Sequence, residues 1–74
     1  MRTYKDLSGG SGVLRYDYGP DWIEVKFKND GVYRYTYSSA GQSHIEKMKC
    51  LADSGRGLSN YISQYVKQLY VLKR

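Results

Sequence analysis

WIEVKFKNDGVYRYTY, residues 22–37, contains two alternating runs, WIEVKFK and VYRYTY, separated by Asn29-Asp30-Gly31. In an extended chain, successive side chains point to opposite faces, so each run reads as a strand with one apolar and one polar side. A connection this short makes the two strands antiparallel neighbours. Loop length then decides what faces what. A two-residue Asn29-Asp30 loop pairs Phe27 with Val32 and sets Ile23, Val25 and Phe27 against Val32, Arg34 and Thr36. A three-residue loop, closed by a left-handed Gly31, pairs Phe27 with Tyr33, Val25 with Tyr35 and Ile23 with Tyr37. The second alternative gives one continuous apolar face and is the expected register.

Outward from this hairpin, VLRYDY (13–18) alternates in the same way and is set off by Gly19-Pro20-Asp21. The expected sheet is a three-stranded meander. One face carries Leu14, Tyr16, Tyr18, Ile23, Val25, Phe27, Tyr33, Tyr35 and Tyr37; the other carries Val13, Arg15, Asp17, Glu24, Lys26, Lys28, Val32, Arg34 and Thr36. In this register Arg34 and Lys26 are cross-strand neighbours, a like-charged pair that an anion would relieve.

The rest of the chain follows helical spacing. Ser39 to Gln42 and Ser43 to Glu46 form capping-box patterns, and Ile45, Met48, Leu51 and Ala52 recur behind them. DSGRG (53–57) ends this helix. A second is expected from Leu58 or Ser59 to about Leu72, with Lys73 and Arg74 complementing its C-terminal dipole. Three strands followed by two helices predict an α+β domain (βββαα), with both helices on the tyrosine face. Residues 1–12, ending in LSGGSG, read as a flexible arm ahead of a single domain over 13–74.

Several function classes are disfavoured. The 74 residues hold one cysteine, Cys50, and one histidine, His44, too few for a metal centre or an internal disulfide. The two stand six apart on a helix, unsuited to a nucleophile–base pair, and Cys50 reads as a buried or half-buried helix residue. The reading is therefore non-enzymatic, with no cofactor. The start, MRTYKDLSGG, lacks a signal-peptide core, and no run reaches the roughly 20 apolar residues of a membrane span. A soluble, cytoplasmic protein without membrane contact is expected.

Net charge is +5 and unevenly spread. Residues 1–37 hold six basic and five acidic side chains, and residues 38–74 hold six and two. A small basic domain attracts polyanions. Tyrosines can stack bases only on an open face, and here they are needed as the helix bed. The basic face, with Arg15, Lys26, Lys28 and Arg34, is thus the candidate surface for RNA or another nucleic acid. A second candidate is the turn before the last helix, where Gly55, Arg56 and Gly57 combine backbone amides with a guanidinium. The bland reading of that turn gives both glycines left-handed angles and makes Ser59 the helix cap. The broad apolar arc of the second helix, with Tyr70 and Val71 beyond it, suits a protein partner or a homodimer. A small-nucleotide pocket between the glycine turn and the rim tyrosines Tyr18 and Tyr37 is a third alternative.

The order of these motifs resembles the KTSC domain, a short bacterial and phage module also found at the C-terminus of some lysyl-tRNA synthetases. The resembling residues are Tyr16-Asp17, Ile23 to Phe27, Tyr33-Arg34-Tyr35, and Ala52-Asp53-Ser54-Gly55 running through Arg56 to Ile62. The resemblance implies a free-standing binding domain rather than a synthetase, with RNA binding suggested by the synthetase context. Tyr37-Ser38-Ser39-Ala40-Gly41 lacks the proline found there in many members, so the first helix is expected to begin differently.

Overall fold

The computed structural model describes residues 1–7 and 9–74; Ser8, within the glycine-rich stretch read as a linker, lies outside them. The fold is α+β, as expected, with more elements than the sequence suggested. Five strands, β1 (Arg2–Thr3), β2 (Val13–Gly19), β3 (Trp22–Phe27), β4 (Val32–Thr36) and β5 (Leu72–Lys73), form one antiparallel sheet in chain order. Between β4 and β5 come α1 (Tyr37–Ala40), α2 (Gln42–Ser54) and α3 (Leu58–Tyr61), the last continuing as a π-helical turn over Ile62–Val66. Among the described residues no helix is long and apolar enough to cross a membrane.

The β3–β4 hairpin has a three-residue loop, as expected, but the loop begins one residue earlier. Phe27 faces Gly31 across Lys28, Asn29 and Asp30, with Phe27 N–H donating to the Gly31 carbonyl at 3.3 Å. Val25 therefore pairs with Tyr33, Ile23 with Tyr35, Glu24 with Arg34, and Lys26 with Val32. Every pairing is displaced by two residues from the sequence reading, and a shift of two preserves the faces. Tyr33 and Tyr35 still lie on the apolar side. Gly31 is not left-handed, contrary to expectation; a Cβ there would stand 1.7 Å from the Arg74 carbonyl oxygen. It is a glycine because the last strand crosses it.

A bulge corrects the first strand. Val13 pairs with Phe27 and Arg15 with Lys26, so Val13 and Leu14 together oppose one residue. The alternation flips there: Val13 is buried in place of the expected Leu14, which is exposed.

The helix layer also departs from the reading in three places. Thr36 and Ser39, not Ser39–Gln42 or Ser43–Glu46, form the capping box, and Gly41, at φ 96°, separates α1 from α2. The second helix does not reach Leu72. The chain leaves the helix after Val66 and returns as β5, where Val32 and Arg74 exchange both backbone hydrogen bonds at 2.8 Å. An uncovered β4 edge would leave its amides and carbonyls without protein partners. Lys73 and Arg74 thus serve the sheet rather than a helix dipole.

The core lies between the sheet and the helices. Ile23, Val25 and Tyr35 from the strands meet Ile45, Met48 and Ala52 from α2, and Leu58, Ile62 and Val66 from the last helical segment. The expected boundary at residue 13 does not mark where the core begins. Tyr4 is buried, its amide donates to the Leu14 carbonyl at 2.9 Å, and Leu7 N–H donates to the Gly55 carbonyl at 2.8 Å. A buried tyrosine ring is a large apolar contribution for a chain this short.

Candidate nucleic-acid interface

The helices cover one side of the sheet and leave the other open. The open side presents Arg15 and Asp17 from β2, Trp22, Glu24 and Lys26 from β3, and Val32, Arg34 and Thr36 from β4, following the observed register. Glu24 sits at its centre and is the buried charged residue of the fold. Arg34 Nε donates to Glu24 Oε2 at 2.8 Å, and an Arg74 guanidinium nitrogen donates to Oε1 at 3.1 Å. The Arg34 guanidinium also lies 4.5 Å from the centre of the Trp22 ring. Burial of a carboxylate requires this compensation, since an unpaired charge there would be costly.

This arrangement changes the ranking of the expected contact residues. Arg34 is not beside Lys26; it is beside Glu24, which takes up its charge. Arg15 is the residue directly across from Lys26. Among the described residues neither Arg15 nor Lys26 has an acidic ion-pair partner, and the same holds for the exposed Lys28 in the following turn. Like charges opposed across two strands repel unless something neutralises them. Arg15, Lys26 and Lys28 therefore form the uncompensated basic part of the open face.

The glycine turn lies elsewhere, in the helix layer, so Arg56 is not brought together with Arg15 and Lys26. Gly55 and Gly57 take left-handed angles, at φ 78° and 75°, as the bland reading expected. Gly55 has a second constraint, because a Cβ would come within 2.6 Å of Lys5 Cβ. Ser59 does not cap α3, contrary to expectation; the Tyr4 hydroxyl accepts from Leu58 N–H at 3.4 Å instead. One of the amides that an anion would use is thus already occupied. The cleft beside this turn, about 170 Å³, is lined by Gly9, Gly10, Ser11, Gly57, Ser59 and Asn60, and not by the rim tyrosines.

Those tyrosines have carboxylate partners. Tyr16 and Tyr18 both donate to Asp53 at 2.8 Å, with Arg2 beside it at 3.4 Å. Tyr37 donates to Glu46, and Tyr33 to Asp30 at 2.6 Å. The hydroxyls of Tyr18 and Tyr16 hold Asp53 below the usual carboxylate range, and Tyr37 and Tyr33 do the same for Glu46 and Asp30. Cys50, expected to be buried or half-buried, is exposed. His44 Nδ1 and the Tyr61 hydroxyl lie 2.7 Å apart, and among the described residues no three metal-binding side chains cluster.

Sequence reasoning missed Trp22 and Arg74 as parts of this surface. A hairpin closed on Phe27 and Gly31 would have set Glu24 opposite Arg34 and exposed their pairing. Arg74 had no comparable signal, because the apolar spacing through Leu69 and Leu72 continues a helix equally well. Comparison with protein-family models, with curated proteins and with solved structures finds no match.

Proposed function

We propose that this chain is a non-enzymatic binding module that holds RNA, or another phosphate-bearing polyanion, on the open face of its sheet. The observation that carries this reading is the Arg15–Lys26 pair: two cations directly opposed across strands, on a helix-free surface, with no carboxylate in ion-pair contact. A phosphate between them converts a repulsive pair into a clamp and releases counterions as it binds. Lys28 extends the basic row. Arg34, neutralised by Glu24 and flanked by Trp22, contributes donors and shape rather than net charge. The KTSC resemblance belongs to the same proposal.

Binding of labelled single- and double-stranded RNA and DNA across a salt series tests the proposal. Affinity should fall steeply with salt, and Arg15→Glu with Lys26→Glu should flatten the slope by about two, one per lost phosphate contact. Arg56→Glu, on the helix side, should change it little. Unchanged binding in the Arg15/Lys26 double variant would remove the surface. A second reading, a protein-docking module, rests on the exposed Tyr65, Leu69, Tyr70, Val71 and Leu72 near the C-terminal strand. It prevails if no nucleic acid binds at low salt and a discrete protein partner is lost on Val71→Asp.

A further inference from the structure

A cleft of about 380 Å³ opens between the β3–β4 hairpin and the π-helical turn, with Phe27, Tyr33, Tyr35, Ile62, Lys67 and Tyr70 among its walls. It lies on the covered side of the sheet, separate from the open face. Three pairs of its aromatic rings meet edge to face. Phe27 and Tyr33 stand 5.4 Å apart at 87°, Tyr33 and Tyr70 4.9 Å apart at 83°, and Tyr35 and Tyr70 6.5 Å apart at 88°. Such a wall offers ring faces and ring edges at once, which suits a flat guest. The volume lies within the range of small-molecule sites.

Tyr35 gives the cleft its polarity. The residue is 1% exposed. The Tyr33 hydroxyl is taken by Asp30, whereas among the described residues the Tyr35 hydroxyl has no hydrogen-bond partner. Among the described residues no sealed side-chain polar atom lacks a partner, so this hydroxyl keeps a sliver of accessible surface, and the space that Tyr35 borders is the cleft. A buried hydroxyl without a protein partner is a free directional contact for a ligand. Burial pushes its pKa well up, so it stays protonated and donates.

The rim sets the charge. Asp30 is engaged by Tyr33, by the Gly31 amide at 2.8 Å and by Lys73 at 3.3 Å. Lys67 has no ion-pair partner among the described residues and is exposed. One uncompensated cation therefore stands at the mouth. The irregular turn over Ile62–Val66 supplies Ile62 and Ser63 to the cleft, and π-helical turns occur often where a helix is shaped around a ligand.

We infer that this cleft binds a planar aromatic anion of one or two rings, its ring laid against the cleft side of Phe27, Tyr33 and Tyr70, an acceptor atom on the Tyr35 hydroxyl and its negative group at Lys67. Adenosine monophosphate and indole-3-carboxylate are suitable probes, with adenosine lacking the charge and ribose 5-phosphate lacking the ring. In two-dimensional NMR titrations of the full chain, both aromatic anions should give saturable shifts at Tyr33, Ile62, Lys67 and Tyr70, and ribose 5-phosphate should give none there. Tyr35→Phe, which deletes only the hydroxyl, should weaken adenosine monophosphate about five- to tenfold. Lys67→Ala should weaken it about two- to fivefold while leaving adenosine unchanged. Should Tyr35→Phe not fold, Tyr70→Ala at the 38% exposed mouth residue carries the test, with loss of the shifts expected. The inference is overturned if neither aromatic anion saturates, if the shifts map to Arg15 and Lys26, or if removing the Tyr35 hydroxyl or the Tyr70 ring leaves affinity unchanged. Arg15→Glu should not affect these titrations, so this site and the polyanion surface stand or fall separately.

Discussion

Tyr35 and Arg34 are adjacent in β4, yet they belong to opposite surfaces of the sheet. Tyr35 is almost completely buried beneath the helices, in contact with apolar neighbours, while the Arg34 side chain remains 37% exposed and bound to a carboxylate. On the covered side, stability comes from apolar area removed from water, so volume and shape dominate. On the open side the dominant question is whether each charge has a partner. Glu24 answers it for Arg34 and Arg74; among the described residues no carboxylate answers it for Arg15 and Lys26. Packing on one side leaves little freedom to vary, and unmatched charge on the other is available for a ligand.

The largest test of this contrast is Ile45→Ala. Ile45 is fully buried between α2 and the sheet. Its truncation should cost about 2–5 kcal/mol in urea unfolding, comparable with the whole stability of many domains of this size. A loss below about 1 kcal/mol would mean that the helix layer is not packed on the tyrosine face. Next comes Gly31→Ala, which acts at the edge where both faces end. The added Cβ would collide with the Arg74 carbonyl at 1.7 Å, so β5 must move. We expect about 1–3 kcal/mol of destabilisation, with loss of amide protection at Val32 and Arg74 seen by hydrogen exchange. Retained protection at both amides would mean that the Arg74 carbonyl does not press on Gly31.

Glu24→Gln should produce a smaller effect on stability and the opposite effect on binding. Removing one partner of a fully buried ion pair costs several kcal/mol. Here Arg34 and Arg74 are 37% and 55% exposed, so water takes over much of the interaction and about 1–2 kcal/mol is expected. Two arginines are also released on the open face. Affinity for labelled RNA should rise at low salt while the urea midpoint falls. If both fall together, Glu24 acts only as a scaffold and the open face is not a polyanion surface.

The two faces differed in how far the sequence could be read. Period-two alternation assigned Tyr33, Tyr35, Ile23 and Val25 to the covered side even though their pairing was displaced by two residues. Face depends on parity and survives that error; cross-strand partnership does not, and this is why Arg34 was set beside Lys26 rather than Glu24. The bulge at Val13–Leu14 was invisible, because both residues are apolar and either could face inward. Beyond Val66 the pattern is ambiguous for a different reason. Leu69 and Leu72 continue a helical stripe, whereas the open edge of β4, which draws the chain back as β5, is a tertiary demand with no local signature. Tyr4 was missed similarly, being a lone aromatic ahead of a glycine-rich stretch.

The smallest expected effect refines the covered side, whose tyrosines are not purely apolar. Their hydroxyls reach the rim and end on Asp30, Glu46 and Asp53, each held below its ordinary value of 3.8, 4.5 and 3.8, respectively. A carboxyl whose folded-state pKa is depressed contributes fully when the unfolded chain is also ionised, and that contribution is lost as protons bind the native state. Stability should therefore hold above about pH 5 as far as these groups are concerned and decline below about pH 4. Asp53→Asn keeps an acceptor for Tyr16 and Tyr18 but does not titrate. Its unfolding midpoint should start slightly lower at neutral pH and fall less steeply in acid than that of the parent chain, in urea melts from neutral to acid pH. Equal acid dependence in the two proteins would shift the pH sensitivity away from the Asp53 cluster.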